Sequence, residues 1–246
     1  VWKDEYNHDF REQLGFREDD LLVVQPTRIV PRKRIEDSLA FVRHLLERYP
    51  EYRGKTHYII SLYQGDEPDQ QYIDTIQKIA GDAEIPLHLI SDRVASVRGT
   101  DAEGRKLYTN RDVLAHADFV TYLPVWEGFG NALLEAIAAK VPIVTTTYLV
   151  YKTDIMPLQL RNVEIRDTYD EKGRLVIPDR AVDEIVQVIR DPREREERVE
   201  HNFAVARQEF GMDVLSQKLR WVFQEYGDEI RASRKRRAKA GARYSV

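Results

Sequence analysis

Short apolar runs alternate with amphipathic stretches through the first two thirds of this chain, and this order limits the possible fold more than any other feature. The apolar runs are typical of buried strands; they cover residues 21–27, 56–62, 85–90, 119–123 and 141–145, with a sixth at 163–165. Helical spacing is found at residues 35–49, 69–80, 111–117 and 131–139, and later at 181–190 and 213–226, while residues 194–209 are predicted to form a charged helix with little apolar face. Because strand–helix–strand order produces right-handed crossovers, we predict an α/β fold of Rossmann-like type. It would have a doubly wound parallel sheet of about six strands, with helices on both faces and further helices at the C-terminus.

The two ends of the chain differ from its middle. Residues 1–20 are polar and aromatic without a strand pattern, and we predict that they form a linker from an N-terminal domain that this sequence lacks. Residues 231–246 contain seven basic residues and no acidic one, which predicts a basic, flexible tail. Residues 21–230 would then form the Rossmann-like domain.

Composition excludes several classes of function. The 246 residues include no cysteine, so disulfides and thiolate metal sites are excluded, and a reducing, cytoplasmic location is expected. The net charge is −4, but outside the basic tail 31 basic residues are set against 42 acidic ones. We therefore expect no nucleic-acid binding, while the tail has the charge for a weak contact with an anionic membrane. The six histidines have no metal-ligand spacing and no Asp-x-Asp occurs, so no metal site is predicted.

The most informative motif lies between Glu127 and Glu135. These two carboxylates are eight positions apart, with glycines at 128 and 130 and an apolar helical segment after them. An apolar strand comes just before, so the order is strand, glycine turn and helix. A helix N-terminus offers unpaired N–H groups and partial positive charge to a phosphate, and a carboxylate accepts hydrogen bonds from sugar hydroxyls. The motif therefore indicates a ligand that is part phosphate and part sugar.

A cluster of positive charge follows the first predicted strand. Arg28, Arg32, Lys33 and Arg34 lie within seven residues at the carboxyl end of that strand. The carboxyl ends of parallel strands share one edge of the sheet, where open α/β sheets bind ligands. We therefore predict that the cationic cluster and the glycine turn converge on one crevice, in which the cations bind a diphosphate.

Together these motifs resemble the C-terminal, donor-binding domain of retaining glycosyltransferases of family four, which have the two-domain GT-B architecture. Glu127 and Glu135 match the family's Glu-x7-Glu motif, including its Glu-Gly-Phe-Gly core. Arg28 and Lys33 match its Arg-Leu-x-x-x-Lys-Gly segment, with Arg34 at the position where glycine is usual. The resemblance covers about residues 20–165 in matching order and spacing.

The resemblance implies a catalytic set and a substrate-binding set. Arg28 and Lys33 would neutralise the leaving diphosphate, and Glu127 would orient the donor sugar close to the reacting carbon. Glu135 would hold the ribose hydroxyls, and the base would lie against the loop that contains Asp92. The glycine turn completes the substrate-binding set with Gly128, Phe129, Gly130 and Asn131, of which the last three would present backbone N–H groups.

The implied reaction is hexosyl transfer from a nucleoside-diphosphate sugar, with retention of anomeric configuration and without a metal or other cofactor. The acceptor would be held by the missing N-terminal domain, so we expect donor binding and little transfer by this chain alone. Residues 147–152 stand where the family commonly has a glycine-containing loop, and the loop at 91–109 is longer than usual. Two alternatives stay open: a sugar-nucleotide epimerase of similar architecture and a non-catalytic nucleotide-sugar-binding module.

Overall fold

A computed structural model describes residues 3–62 and 69–241, with side chains as far as residue 233. The strands are β1 (Leu21–Gln25), β2 (Thr56–Ile60), β3 (Leu87–Leu89), β4 (Gly99–Thr100), β5 (Lys106–Leu107), β6 (Phe119–Tyr122), β7 (Ile143–Thr146) and β8 (Val163–Ile165). Six of them form one sheet in the order β3–β2–β1–β6–β7–β8, with every neighbouring pair parallel. This is the strand order of a Rossmann fold, so the predicted fold class is confirmed. The other two strands, β4 and β5, form an antiparallel hairpin.

The described residues also form α-helices. They are α1 (Phe10–Gln13), α2 (Ile35–Arg48), α3 (Gln70–Asp82), α4 (Asn110–Ala115), α5 (Asn131–Ala138), α6 (Asp179–Arg190), α7 (Pro192–Phe210) and α8 (Met212–Gly241). Helices α2, α3 and α6 share one buried apolar cluster with Leu21 and Val23 of β1. Leu22 and Val24 are also buried but lie outside this cluster, because successive strand residues point to opposite faces of a sheet. Helix α5 packs against β6 and β7.

The element boundaries differ from the predicted ones for local reasons. Strand β1 ends at Gln25, two residues early, because Pro26 has no N–H to donate to a neighbouring strand. At the other end of the chain, α8 extends well past residue 226, where its apolar spacing ends. The extension is rich in arginine, lysine and alanine, which are strong helix formers.

The described part of the predicted linker, residues 3–20, is folded onto the domain. Helix α1 buries Phe10 completely. Arg11 donates hydrogen bonds of 2.9 and 2.8 Å to the backbone carbonyls of Arg17 and Asp20, and its guanidinium forms an ion pair with Asp118. Asp118, which pairs with Arg11, and Tyr108, which packs on Phe10, lie about 100 residues further along the chain. The local sequence pattern therefore gave no sign of this packing. A connection from here to another domain stays a prediction.

The chain divides into two compact units, residues 1–203 and 204–246, so the predicted boundary at 230 falls within the second unit. The second unit contains the end of α7 and all of α8. Helix α8 continues to Gly241, so the first part of the predicted flexible tail is helical; residues 242–246 lie outside the described part of the chain. Among the helices that the structure describes, we find none with the length and apolar character to cross a membrane.

Candidate functional site

The two predicted motifs meet in one cavity, where strands β1 and β6 end. The cavity has a volume of about 490 Å³. The segment after β1 forms one wall and the glycine turn before α5 forms the other; the lining residues are Pro26, Thr27, Arg28, Arg32, Lys33, Leu62, Glu127, Gly128, Phe129, Gly130, Asn131, Ala132 and Glu135. The expected convergence of the cationic cluster and the glycine turn is therefore confirmed. Every residue of the predicted catalytic and substrate-binding sets except Asp92 lines this cavity, and of the cationic cluster only Arg34 does not.

The carboxylate of Glu127 is the meeting point of the two walls. Its Oε1 accepts a hydrogen bond of 2.6 Å from Nζ of Lys33 and forms an ion pair with Arg32. The side chains of Lys33 and Glu127 are only 10% and 11% exposed, so this charge pair is largely shielded from water. The guanidinium of Arg32 also stacks on the indole of Trp126, 5.3 Å from the ring centroid. Two cations therefore share one carboxylate that is largely shielded from water.

Burial lowers the pKa of Lys33 to about 8, and the neighbouring charges of Arg32 and Arg28 act in the same direction. The carboxylate of Glu127 opposes this shift because it stabilises the ammonium form. Lys33 is therefore still protonated at pH 7, but its proton is held less firmly than that of an exposed lysine. Arg28 is exposed at the cavity wall, where its permanent charge adds to the positive field.

A tight turn places these cations. Pro31–Lys33 forms a single 3-10 turn, and Arg34 follows it with φ 50° and ψ 51°. Glycine adopts this left-handed conformation without cost, whereas other residues are strained in it. Arg34 is held there by Asp37, at 2.7 Å, and by the carbonyl of Gly173, also at 2.7 Å. These contacts explain how arginine stands where the family usually has glycine.

The glycine turn is fixed by close packing at Gly130. This residue has φ +108°, and a Cβ on it would lie 2.7 Å from the hydroxyl oxygen of Tyr148 and 3.1 Å from that of Tyr122. The hydroxyl of Tyr148 donates a 2.8 Å hydrogen bond to the carbonyl of Phe129. Tyr148 belongs to the segment that replaces the family's glycine-containing loop, so a buried tyrosine supports the turn from behind. Gly128 is different, because a Cβ there would meet no atom within 4 Å.

The first backbone N–H groups of α5 lie at the cavity. The carbonyl of Gly130 accepts from Leu133, at 2.9 Å, and thereby begins the helix. Within the described ranges, the N–H groups of Asn131 and Ala132 have no hydrogen-bond partner, as is usual for the first turn of a helix. Both residues line the cavity. The cavity therefore combines three cationic side chains with the positive end of a helix dipole, which suits a diphosphate.

A second cavity of about 1050 Å³ shares Leu62 and Glu135 with the first. Glu135 accepts a 2.8 Å hydrogen bond from the amide of Asn110, whose carbonyl oxygen accepts from the hydroxyl of Ser61 at 2.6 Å. The remaining lining residues come from the N-terminal segment, the loop after β3 and α4; they are Asp4, Val94, Ala95, Ser96, Arg98, Thr109, Arg111 and Asp112. Together the two cavities offer an anion-binding end and a larger end with polar and apolar walls.

The family follows from a comparison of the whole chain with known families. Residues 7–202 match the model of the glycosyl transferases group 1 family. The chain belongs to this family. The identification agrees with the resemblance carried by the two motifs, and it does not favour the epimerase or the non-catalytic module.

Curated relatives of this group 1 glycosyltransferase chain carry one name. Mannosylglucosylglycerate synthase of Thermotoga maritima is 34% identical over 236 residues, which cover 89% of this chain and 53% of the relative. The protein of that name from Petrotoga mobilis is 31% identical over 205 residues, covering 77% and 47%. The chain therefore spans about half the length of the curated relatives it matches.

Solved structures share the fold at lower identity. Anabaena Alr3699/HepE, in complex with UDP-glucose, has a TM-score of 0.63 and 14% identity, covering 91% of this chain and 54% of that one. Sucrose-phosphate synthase from Thermosynechococcus elongatus has a TM-score of 0.61 and 14% identity, covering 90% and 49%. These likenesses establish the Rossmann-like fold that glycosyltransferases of the GT-B architecture contain.

The positions of two residues of this group 1 glycosyltransferase chain differ from the predicted ones. Asp92 lines neither cavity; its carboxylate faces Arg105, at 3.2 Å, and is 60% exposed. Arg32 lines the first cavity; it belongs to the predicted cationic cluster but not to the catalytic or substrate-binding set that the resemblance implies. Arg32 forms an ion pair with Glu127, and the spacing of residues in the sequence does not reveal this pair. In the part of the chain that the structure describes, no three histidine, cysteine or acidic side chains are grouped as metal ligands would be.

Proposed function

We propose that this chain is the donor-binding half of a retaining glycosyltransferase that uses a nucleoside-diphosphate sugar and needs no metal. The observation that carries the proposal is the meeting of Lys33 and Glu127 in one cavity beside the start of α5. Cations and backbone N–H groups suit a diphosphate, and a carboxylate next to them suits the hydroxyls of an attached sugar.

The cationic wall would stabilise the leaving group. Cleavage of the bond between the anomeric carbon and the phosphate leaves negative charge on the diphosphate oxygens. Arg28 and Lys33 would neutralise this charge, with help from the N–H groups of Asn131 and Ala132. Such preorganised donors act most strongly where charge develops in the transition state, and no metal is then required. The acceptor hydroxyl would form the new bond on the same face and pass its proton to the departing phosphate.

Glu127 would change partners when the donor binds. In the structure it balances the charges of Lys33 and Arg32. A bound diphosphate would take over this balancing, because it carries more negative charge and reaches the same cations. The carboxylate of Glu127 would then be available to accept hydrogen bonds from the donor sugar and to hold its anomeric carbon in place.

The nucleoside would extend into the larger cavity. Glu135 stands between the two cavities and is already oriented by Asn110, which suits a role in binding the ribose hydroxyls. The base would then lie against residues 94–96. The contact with the base that was expected of Asp92 is assigned to these residues instead, because Asp92 lines neither cavity and faces Arg105.

The acceptor would be bound by a second domain, because the chain spans about half the length of its curated relatives. Their name, mannosylglucosylglycerate synthase, supports a hexosyl donor and in particular a mannosyl donor. We keep the cytoplasm as the proposed location, without nucleic-acid partners, and we keep a weak contact of the basic tail with anionic membranes as a prediction.

Calorimetric titration tests the proposal. We expect the chain to bind a uridine or a guanosine diphosphate, alone or with glucose or mannose attached, in the micromolar to low millimolar range. Lys33→Ala should weaken this binding at least tenfold, because it removes a charged donor to the diphosphate. Lys78→Ala is the matched control, since Lys78 is exposed and paired with Asp82 on α3. If no nucleoside diphosphate binds, or if both variants bind like the unchanged chain, the proposal is wrong.

A further inference from the structure

Arg98 is the most firmly held cation in the wall of the larger cavity. Its Nη2 donates to Oδ2 of Asp4 at 2.8 Å, and its Nε donates to Oδ2 of Asp112 at 3.2 Å. The ring of Tyr6 covers one face of the guanidinium, 4.7 Å from its centre. The side chain is nevertheless 37% exposed. Arg98 is therefore oriented from three directions and still reaches the cavity.

The two carboxylates beside Arg98 also accept hydrogen bonds from other groups of the chain. Oδ1 of Asp4 accepts from the backbone N–H groups of Tyr6, at 2.8 Å, and Asn7, at 3.1 Å. Asp112 is only 1% exposed; it accepts from the side-chain amide of Asn7, at 2.9 Å, and from the N–H and hydroxyl of Thr109, both at 2.8 Å. The carboxylate of Asp112 is therefore not free to accept from a ligand, whereas that of Asp4, which is 44% exposed, is held by three donors of the chain.

One hydrogen-bond donor of Arg98 remains available to a ligand. Among the residues that the structure describes, Nη1 of Arg98 has no hydrogen-bond partner. A guanidinium offers only donors, so it favours a carbonyl oxygen over an amino group at the same position of a ligand. Uracil and guanine have a carbonyl where cytosine and adenine have an amino group.

We propose that Arg98, held by Asp4 and Asp112, selects bases that carry a carbonyl group, uracil or guanine, over cytosine or adenine. This proposal rests on the proposed function, because it needs the nucleoside in the larger cavity. It also gives the N-terminal segment a part in the donor site. Asp4 and Tyr6 orient Arg98, and we assign them a positioning role.

The test compares diphosphates that differ at this one group. Calorimetry with the uridine and cytidine pair, and with the guanosine and adenosine pair, measures an affinity ratio for each pair. We expect the unchanged chain to prefer the carbonyl-bearing base about tenfold or more in a pair that binds. Arg98→Ala should reduce the ratio to about two or less. Arg98→Lys should also lose most of it, because lysine keeps the charge beside Asp112 but lacks the planar fork.

Two other arginines serve as comparisons. Arg105→Ala removes a cation of the same hairpin that lines neither cavity, and it should leave the ratio unchanged. Arg111 lines the larger cavity and tests the rival assignment. The inference is overturned if the unchanged chain binds both members of each pair equally. It is also overturned if Arg98→Lys, confirmed as folded by thermal unfolding, keeps the full ratio, or if only Arg111→Ala abolishes it. Failure of all four diphosphates to bind would instead refute the proposed function.

Discussion

The ammonium nitrogen of Lys33 lies 2.6 Å from Oε1 of Glu127, although the two residues are 94 positions apart in the sequence. The contact joins the end of the first strand to the glycine turn before α5. It brings the groups proposed to bind the leaving diphosphate within reach of the carboxylate proposed to orient the sugar. Four predictions follow from this arrangement and from the turns that support it.

Lys33→Ala should slow glycosyl transfer sharply in an enzyme that carries both domains. Loss of one preorganised donor to a developing charge costs about 3 kcal/mol of barrier, or roughly a hundredfold or more in rate. The fold should stay intact, since no apolar packing is lost beyond the lysine stem. Steady-state kinetics measures the effect, and Lys78→Ala serves as the control. Unchanged turnover in Lys33→Ala would refute the assigned role.

Donor affinity should fall as the pH rises above 8. Lys33 has a pKa of about 8 in the free site, and a diphosphate binds the protonated form, so binding takes up a proton from solution at higher pH. The affinity for a nucleoside-diphosphate sugar should therefore be level from pH 6.5 to 7.5 and then decrease by up to tenfold per pH unit. Calorimetry between pH 6.5 and 9.5 measures this.

Lys33→Arg is the control for the pH profile, since arginine stays charged throughout this range. Its affinity should be nearly independent of pH up to 9.5. A decrease of equal size in the variant would assign the titration to another group.

Gly130→Ala should destabilise the domain, whereas Gly128→Ala should be tolerated. A Cβ at position 130 would collide with the hydroxyl of Tyr148, and the positive φ is strained for alanine; together these should cost about 2–3 kcal/mol in the free energy of unfolding. At position 128 the Cβ enters open space, and we expect a change within about 0.5 kcal/mol. Urea unfolding of both variants measures the difference. Equal stabilities would show that the turn does not require glycine at 130.

Arg34→Gly should be more stable than Arg34→Ala. Both variants lose the contacts with Asp37 and Gly173, so Arg34→Ala should be less stable than the unchanged chain, whereas Arg34→Gly also relieves the strain that arginine bears in this conformation. Only alanine also bears the cost of the left-handed conformation, and we expect a difference of about 1 kcal/mol in the free energy of unfolding after the greater flexibility of unfolded glycine is included. Thermal or urea unfolding of the pair decides it. An alanine variant as stable as the glycine one would mean that this turn rearranges.

The order of apolar runs and amphipathic segments was enough to determine the fold of residues 21–190. Each strand of the six-stranded sheet has its own run of apolar residues, and each crossover helix has its own stripe, so the pattern is local; the β4–β5 hairpin has no such run. The site could be predicted for the same reason. A parallel sheet places every strand's carboxyl end at one edge, and both motifs directly follow strands. The convergence of Lys33 and Glu127 is thus a consequence of strand order.

Other features depended on contacts between residues far apart in the sequence, and only the tertiary structure decided them. The packing of residues 4–20 requires partners such as Asp118 and Asp112, and no local pattern contains those partners. Three further contacts depend on the directions of side chains at the edge of the sheet. They are the ion pair of Arg32 with Glu127, the ion pair of Asp92 with Arg105 and the packing of Tyr148 against Gly130. Sequence patterns fix which elements form because that choice is made by neighbouring residues. The partner of a charged side chain is chosen among all the groups that the finished fold brings near it.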